Sequence, residues 1–207
     1  MDATELLRGH RVVPVVVVDH VDIAVPLAET LIDAGLSVIE ITLRTDDALA
    51  AIATIARAVP EMIVGAGSIR RPQQFTEVQD AGARFAVSPG ASDALLAKAE
   101  ELGMPFVPGA VTPSEMIGLY ERGYHLQKFF PAELAGGHAY LKSVGAPLAE
   151  LSFMPTGGIT PDNVSQYLAL SNVLCIGGSW ITPSSLQKKR DFESIHRLAT
   201  DAARLGV

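Results

Sequence analysis

Asp33-Ala34-Gly35-Leu36-Ser37-Val38-Ile39-Glu40-Ile41-Thr42-Leu43-Arg44 contains the junction that decides the fold. A helical segment ends at Asp33-Ala34-Gly35, and a short apolar strand follows at once. Glycine just past a helix end takes the left-handed backbone that closes the last turn. The same junction recurs at Asp80-Ala81-Gly82 before Arg84 to Val87, and at Glu101-Leu102-Gly103 before Pro105-Phe106-Val107. It recurs again at Glu121-Arg122-Gly123 before Tyr124 to Phe129. Helix starts repeat as well: Thr112-Pro113, Thr160-Pro161 and Thr182-Pro183 each set a capping hydroxyl before a proline suited to the first helical position. Thr112 with Glu115 also fits a capping box.

Working outward from these junctions predicts eight strands, at roughly 12–18, 37–42, 62–66, 84–88, 105–108, 124–129, 152–155 and 173–177, with a helical segment between every pair. A helix near residues 2–9 is expected to close the bottom, and a final helix to run over about 184–204, with Phe192, Ile195, Leu198, Ala202 and Leu205 at helical spacing. Eight alternating βα units predict an α/β fold, a (β/α)8 TIM barrel with an extra N-terminal helix. The alternative is an open doubly wound sheet. The chain of 207 residues suits one domain, 1–207, with no linker or low-complexity segment.

Composition narrows the function classes. A formal charge of −7 argues against nucleic acid as a general partner. The single cysteine, Cys175, lies in the apolar run Val173-Leu174-Cys175-Ile176 and reads as a small buried hydrophobe, which excludes a disulfide within the chain. Met1-Asp2-Ala3-Thr4-Glu5 lacks the pattern of a secretory signal, and the apolar runs are too short to span a bilayer. A cytoplasmic protein without a membrane partner is expected. The histidines, His10, His20, His125, His138 and His196, show no metal-ligand spacing, so no catalytic metal and no cofactor is expected.

In a barrel of this kind chemistry sits at the C-terminal ends of the strands. Of five lysines, Lys98, Lys142, Lys188 and Lys189 lie in helical or polar surroundings, whereas Lys128 ends an apolar strand and precedes Phe129-Phe130-Pro131. Two readings stand: a structural ion pair inside the barrel mouth, or a nucleophilic amine, for which burial or a neighbouring cation assists loss of the proton. On the second strand the period of two puts Glu40, Thr42 and Arg44 on one face and Ile39, Ile41 and Leu43 on the other. Glu40 and Thr42 then point into the barrel. Glu40 suits general acid/base work and Arg44 suits a two-point grip on a carboxylate; the competing reading has the two simply paired with each other.

The third strand ends in Gly65-Ala66-Gly67-Ser68, a weak match to a dinucleotide fingerprint but an open loop offering a hydroxyl and an amide. The seventh and eighth strands end in Thr156-Gly157-Gly158 and Gly177-Gly178-Ser179, where barrels of this kind often bind phosphate on exposed amides. A single such pair could reflect tight packing alone; two at the two expected positions point to an anion.

Six segments then occur in order: Glu40-Ile41-Thr42-Leu43-Arg44-Thr45, Gly65-Ala66-Gly67-Ser68, Ser88-Pro89-Gly90, Lys128-Phe129-Phe130-Pro131-Ala132-Glu133, Pro155-Thr156-Gly157-Gly158-Ile159 and Cys175-Ile176-Gly177-Gly178-Ser179-Trp180. Together they closely resemble the 2-keto-3-deoxy-6-phosphogluconate (KDPG) and 4-hydroxy-2-oxoglutarate (KHG) aldolase family, over nearly the whole chain. The resemblance implies a class I aldolase on a trimeric barrel, acting in the Entner–Doudoroff pathway, with a phosphorylated keto acid as partner and no cofactor. It implies Lys128 as the Schiff-base lysine and Glu40 as the acid/base. Arg44 and Ser68 would hold the carboxylate end, and Gly157, Gly158, Gly178 and Ser179 the phosphate. Thr156 matches the position that helps separate the gluconate-derived substrate from its galactonate epimer. Ser68 stands where the family more often has threonine. A relative acting on the galactonate epimer, a silent phosphosugar-binding barrel and an isomerase using Glu40 as base are the competing readings.

Overall fold

The computed structural model describes residues 2–205. The chain alternates as α1 (Ala3–Leu7), β1 (Val12–Val16), α2 (Ala24–Asp33), β2 (Val38–Thr42), α3 (Ala48–Ala58), β3 (Ile63–Gly67), α4 (Gln73–Asp80), β4 (Phe85–Val87), α5 (Asp93–Leu102), β5 (Phe106–Val107), α6 (Pro113–Glu121), β6 (Leu126–Phe129), α7 (Gly137–Val144), β7 (Ser152–Pro155), α8 (Val164–Leu168), β8 (Ile176–Gly178), α9 (Ser184–Lys189) and α10 (Phe192–Arg204). All strand pairs are parallel, in the order β5-β4-β3-β2-β1-β8, with β6-β7 as a second pair. Single bridges close the ring: Gly109 to Lys128 beside β5 and β6, and Phe153 to Val173 and Thr156 to Gly177 beside β7 and β8. The closed barrel is the expected fold, and the open sheet is set aside.

The glycine junctions behave as the sequence predicts. Gly35, Gly82, Gly103 and Gly123 have φ of 92°, 91°, 60° and 86°. Two apolar layers result. Ile39, Ile41, Val64, Phe75 and Phe106 pack outward against the helices. Val13, Val38, Phe85, Val87, Val107, Leu126, Met154 and Cys175 fill the lower barrel, where Leu6 and Leu7 of α1 plug the bottom. Asp2 and Glu5 cap that plug reciprocally, so the expected N-terminal helix is present. Phe85 fits inside because Gly65 has no side chain: a Cβ there would collide with the Phe85 ring.

Several expected boundaries shift. The last helix is two, not one. Arg190 turns left-handed at φ 53°, and Asp191 caps α10 by accepting from the Ser194 amide at 3.0 Å. An acidic capping residue offers the backbone a new start, which helical spacing alone does not reveal. Thr112 caps α6 as expected. Thr160 and Thr182 do not cap: Asn163 and Pro183 occupy those positions, and the Thr182 hydroxyl is buried without a partner. β8 begins later than expected and includes Gly177 and Gly178, which pair with Val13 and Pro14. Among the described residues no helix is long and apolar enough to cross a membrane.

Candidate active site

Above the apolar plug the barrel interior turns polar. β2 sends Val38, Glu40 and Thr42 inward in sequence, and Glu40 and Thr42 are fully buried. Thr42 donates to the Val16 carbonyl at 3.0 Å, which ties the top of β2 to β1. Lys128, 5% exposed, enters from β6 beside Met154. Its own amide donates to the Pro108 carbonyl at 2.8 Å and its carbonyl accepts from Ala110 at 2.9 Å, so the lysine backbone forms part of the barrel seam.

The two side chains meet. Lys128 Nζ donates to Glu40 Oε1 at 3.1 Å, across 88 residues of sequence. Glu40 therefore pairs with Lys128 and not with Arg44. Its second oxygen, Oε2, is buried with no hydrogen-bond partner among the described residues. A buried carboxylate oxygen left unpaired costs free energy unless a ligand or water completes it. Gly67 makes the arrangement possible, because a Cβ there would collide with the Glu40 carboxylate. Read from sequence, Gly67 belonged to a loop that opens the backbone to ligand; the fold uses it to seat the acid.

The lysine also lies 5.7 Å from the centre of the Phe130 ring. Phe130 is a site neighbour that sequence reasoning passed over. The signal was available, since residues 128 and 130 share a face under the same period of two applied to β2. Cys175, in the plug below, is fully buried, and burial first, then the Glu40 charge, pushes its thiol up to about 12. It is inert in the sense expected from its sequence context.

The remaining expected residues gather at the rim. Arg44 Nε donates to Ser68 Oγ at 3.1 Å, joining the two groups read as carboxylate holders. Ser68 has φ 62°, a left-handed backbone that a β-branched residue adopts only at greater cost. Serine in place of threonine is thus a backbone matter as well as a lost methyl group. Thr156 is buried with its hydroxyl against Gly177, where a Cβ would collide with it. Gly157 and Gly158 form a left-handed turn after β7, with φ of 100° and 79°. Gly178 differs from the expected open loop. It is buried within β8, and a Cβ there would lie about 2.5 Å from the Trp180 ring; Ser179 beyond it is exposed.

Residues 3–198 match the family described as KDPG and KHG aldolase. The chain is 46% identical over 200 residues to the KHG/KDPG aldolase of Escherichia coli K12, covering 97% of this chain and 94% of that protein. It is 44% identical to the 2-dehydro-3-deoxy-phosphogluconate aldolase of Dickeya dadantii, again over 97% and 94%. Among solved structures it resembles the KDPG aldolase of Legionella pneumophila, determined with pyruvate captured at low pH as a covalent carbinolamine, with a TM-score of 0.94, 38% identity, and 97% and 98% of the two chains covered.

Proposed function

The chain belongs to the KDPG and KHG aldolase family, and from that premise we propose a class I mechanism in which Lys128 forms the imine and Glu40 moves the protons. The enzyme is a carbon–carbon lyase with KDPG and KHG aldolase activity. The observation that carries the residue assignment is the buried contact of Lys128 Nζ with Glu40 Oε1 at 3.1 Å, with Oε2 free beside it.

Glu40 accepts a proton from Lys128, and the neutral amine adds to the C2 ketone of the substrate. The carbinolamine loses water with Glu40 as acid, leaving an iminium that acts as the electron sink. Glu40 then removes the C4 hydroxyl proton. The C3–C4 bond breaks, its electron pair flows into the enamine, and glyceraldehyde 3-phosphate departs from KDPG, or glyoxylate from KHG. Protonation at C3 and hydrolysis release pyruvate and restore Lys128. The iminium supplies the electron sink, so the scheme uses no metal or cofactor. Burial strengthens each proton transfer by excluding bulk water, and the fixed donor–acceptor geometry contributes its share through orientation.

Arg44 and Ser68 bind the carboxylate end in this scheme. Gly157, Gly158, Gly178 and Ser179 receive the phosphate through backbone amides and a hydroxyl, and Thr156 lies where substrate configuration is read. The assembly is taken as a homotrimer of single-domain chains, 1–207, in the cytoplasm; Leu134, 90% exposed on the loop before α7, is the kind of apolar side chain a subunit contact covers. Neither nucleic acid nor membrane is a partner.

Borohydride reduction in the presence of pyruvate, followed by peptide mass mapping, tests the assignment. The expected adduct lies on Lys128. An adduct on any other lysine, or none, removes Lys128 from the role.

A further inference from the structure

Resting on the proposal that the Gly157–Gly158 turn receives the substrate's phosphate, we infer that Asn163, Glu133 and Tyr167 are positioning residues that orient this turn's amides toward that group. Three successive carbonyls of the turn are each tied. The Thr156 carbonyl accepts from the Ala132 amide at 2.9 Å, and the Gly157 carbonyl from the Glu133 amide at 3.1 Å. The Gly158 carbonyl accepts from Asn163 Nδ2 at 3.1 Å. In a trans peptide each C=O points opposite to the N–H of the next residue within one rigid plane. Holding these carbonyls therefore sets the directions of the Gly157, Gly158 and Ile159 amides. The Gly157 amide faces Gly177 of β8 through the Thr156–Gly177 bridge, whereas the Gly158 and Ile159 amides donate to no group among the described residues.

Each tether is itself held. Asn163 is locked because its Oδ1 accepts from the Thr160 amide at 2.8 Å, which leaves Nδ2 aimed at Gly158. Glu133 lies across the turn: a Cβ on Gly158 would come within 2.7 Å of its Cβ and Cγ, so that glycine is the seat of the glutamate stem. The Glu133 carboxylate accepts from the Tyr167 hydroxyl, next to Gly137 at the start of α7. A carboxylate beside a phosphate site opposes the anion; this anchor gives the charge a fixed partner and a helix start to face. Tyr167 is a fully buried donor, edge-on to His138, and burial together with Glu133 holds its phenol above its ordinary range, so it stays protonated. The tethers come from three elements: the loop after β6, the turn before α8, and α8 itself.

The test is the ratio of kcat/KM for KDPG to kcat/KM for KHG, measured on the wild type, Asn163→Ala and Tyr167→Phe. Loss of one orienting hydrogen bond is expected to lower the ratio by about tenfold in Asn163→Ala and by about threefold in Tyr167→Phe, through KM for KDPG. Tyr167→Phe keeps the ring and its packing, so it reads the hydroxyl even where Asn163→Ala fails to fold. An unchanged ratio, or equal losses on both substrates, overturns the inference while leaving the phosphate reading intact. A wild type that does not favour KDPG and is not inhibited by inorganic phosphate overturns both.

Discussion

Glu40 carries two oxygens with different surroundings, and the proposed proton transfers depend on keeping them different. Oε1 holds Lys128 and Oε2 is left open. Glu40→Gln retains the shape but cannot accept or return a proton. It is expected to bind substrate still but to lower kcat by about 100-fold or more; near-normal turnover would remove Glu40 from its role. Gly67 is coupled to the same oxygen. Gly67→Ala forces the carboxylate to move, and because the displaced atoms belong to the proposed acid/base, kcat is expected to fall by at least about tenfold with the barrel still folded, as steady-state kinetics and circular dichroism would show. The inward face of Glu40 was legible from the alternation of β2. Its partner was not: alternation places a side chain on a face but says nothing about which strand lies opposite, so the sequence offers Arg44 of the same strand as a partner for Glu40 and leaves the partner of Lys128 unnamed.

Elements show where local chemistry is enough and where it is not. The α6 start was readable because Thr112 and Glu115 satisfy one another's backbone within four residues. The Glu115 carboxyl accepts from the Thr112 amide at 2.8 Å and the Val111 amide at 3.0 Å, and these bonds, Thr112 first, hold it below the usual carboxylate range. A lowered folded value means that the stabilisation is present above the unfolded value of 4.5 and is lost as pH falls through the folded one. Thr112→Ala is expected to cost about 1 kcal/mol in urea unfolding at neutral pH. Glu115→Gln should be less stable than wild type at pH 7, with the deficit narrowing as pH falls below 4.5; a deficit constant with pH would remove the carboxylate from the cap. Thr160 and Thr182 carry the same Thr-Pro signature yet do not cap: the Thr160 carbonyl accepts from the Asn163 and Val164 amides ahead of α8, and the Thr182 carbonyl accepts from the Gln187 side chain at 2.7 Å, local bonds that the two-residue signature does not reveal. The break at Arg190-Asp191 was hidden for the opposite reason, since the apolar spacing of α10 continues smoothly past a cap that only a hydrogen bond to Ser194 reveals.

At the scale of the whole molecule the barrel is stratified, with an apolar plug below and a polar chamber above. Leu7 of α1 is fully buried in that plug, and Leu7→Ala is expected to cost about 2–5 kcal/mol through the cavity it leaves, measured by chemical denaturation. Cys175 reports on the same layer: its thiol is expected to resist labelling by a disulfide reagent in the native enzyme and to react on unfolding, and rapid native labelling would mean that the plug opens. The alternating βα order, the glycine-closed helices, the inward face of β2 and the singular place of Lys128 are all written in residue order. These follow from capping geometry and side-chain periodicity, which act over a few residues. It took closure of the fold to set Lys128 against Glu40 and to seat that carboxylate over Gly67. Those contacts join residues on different strands, and their distances exist only once the parallel strands have closed into a ring.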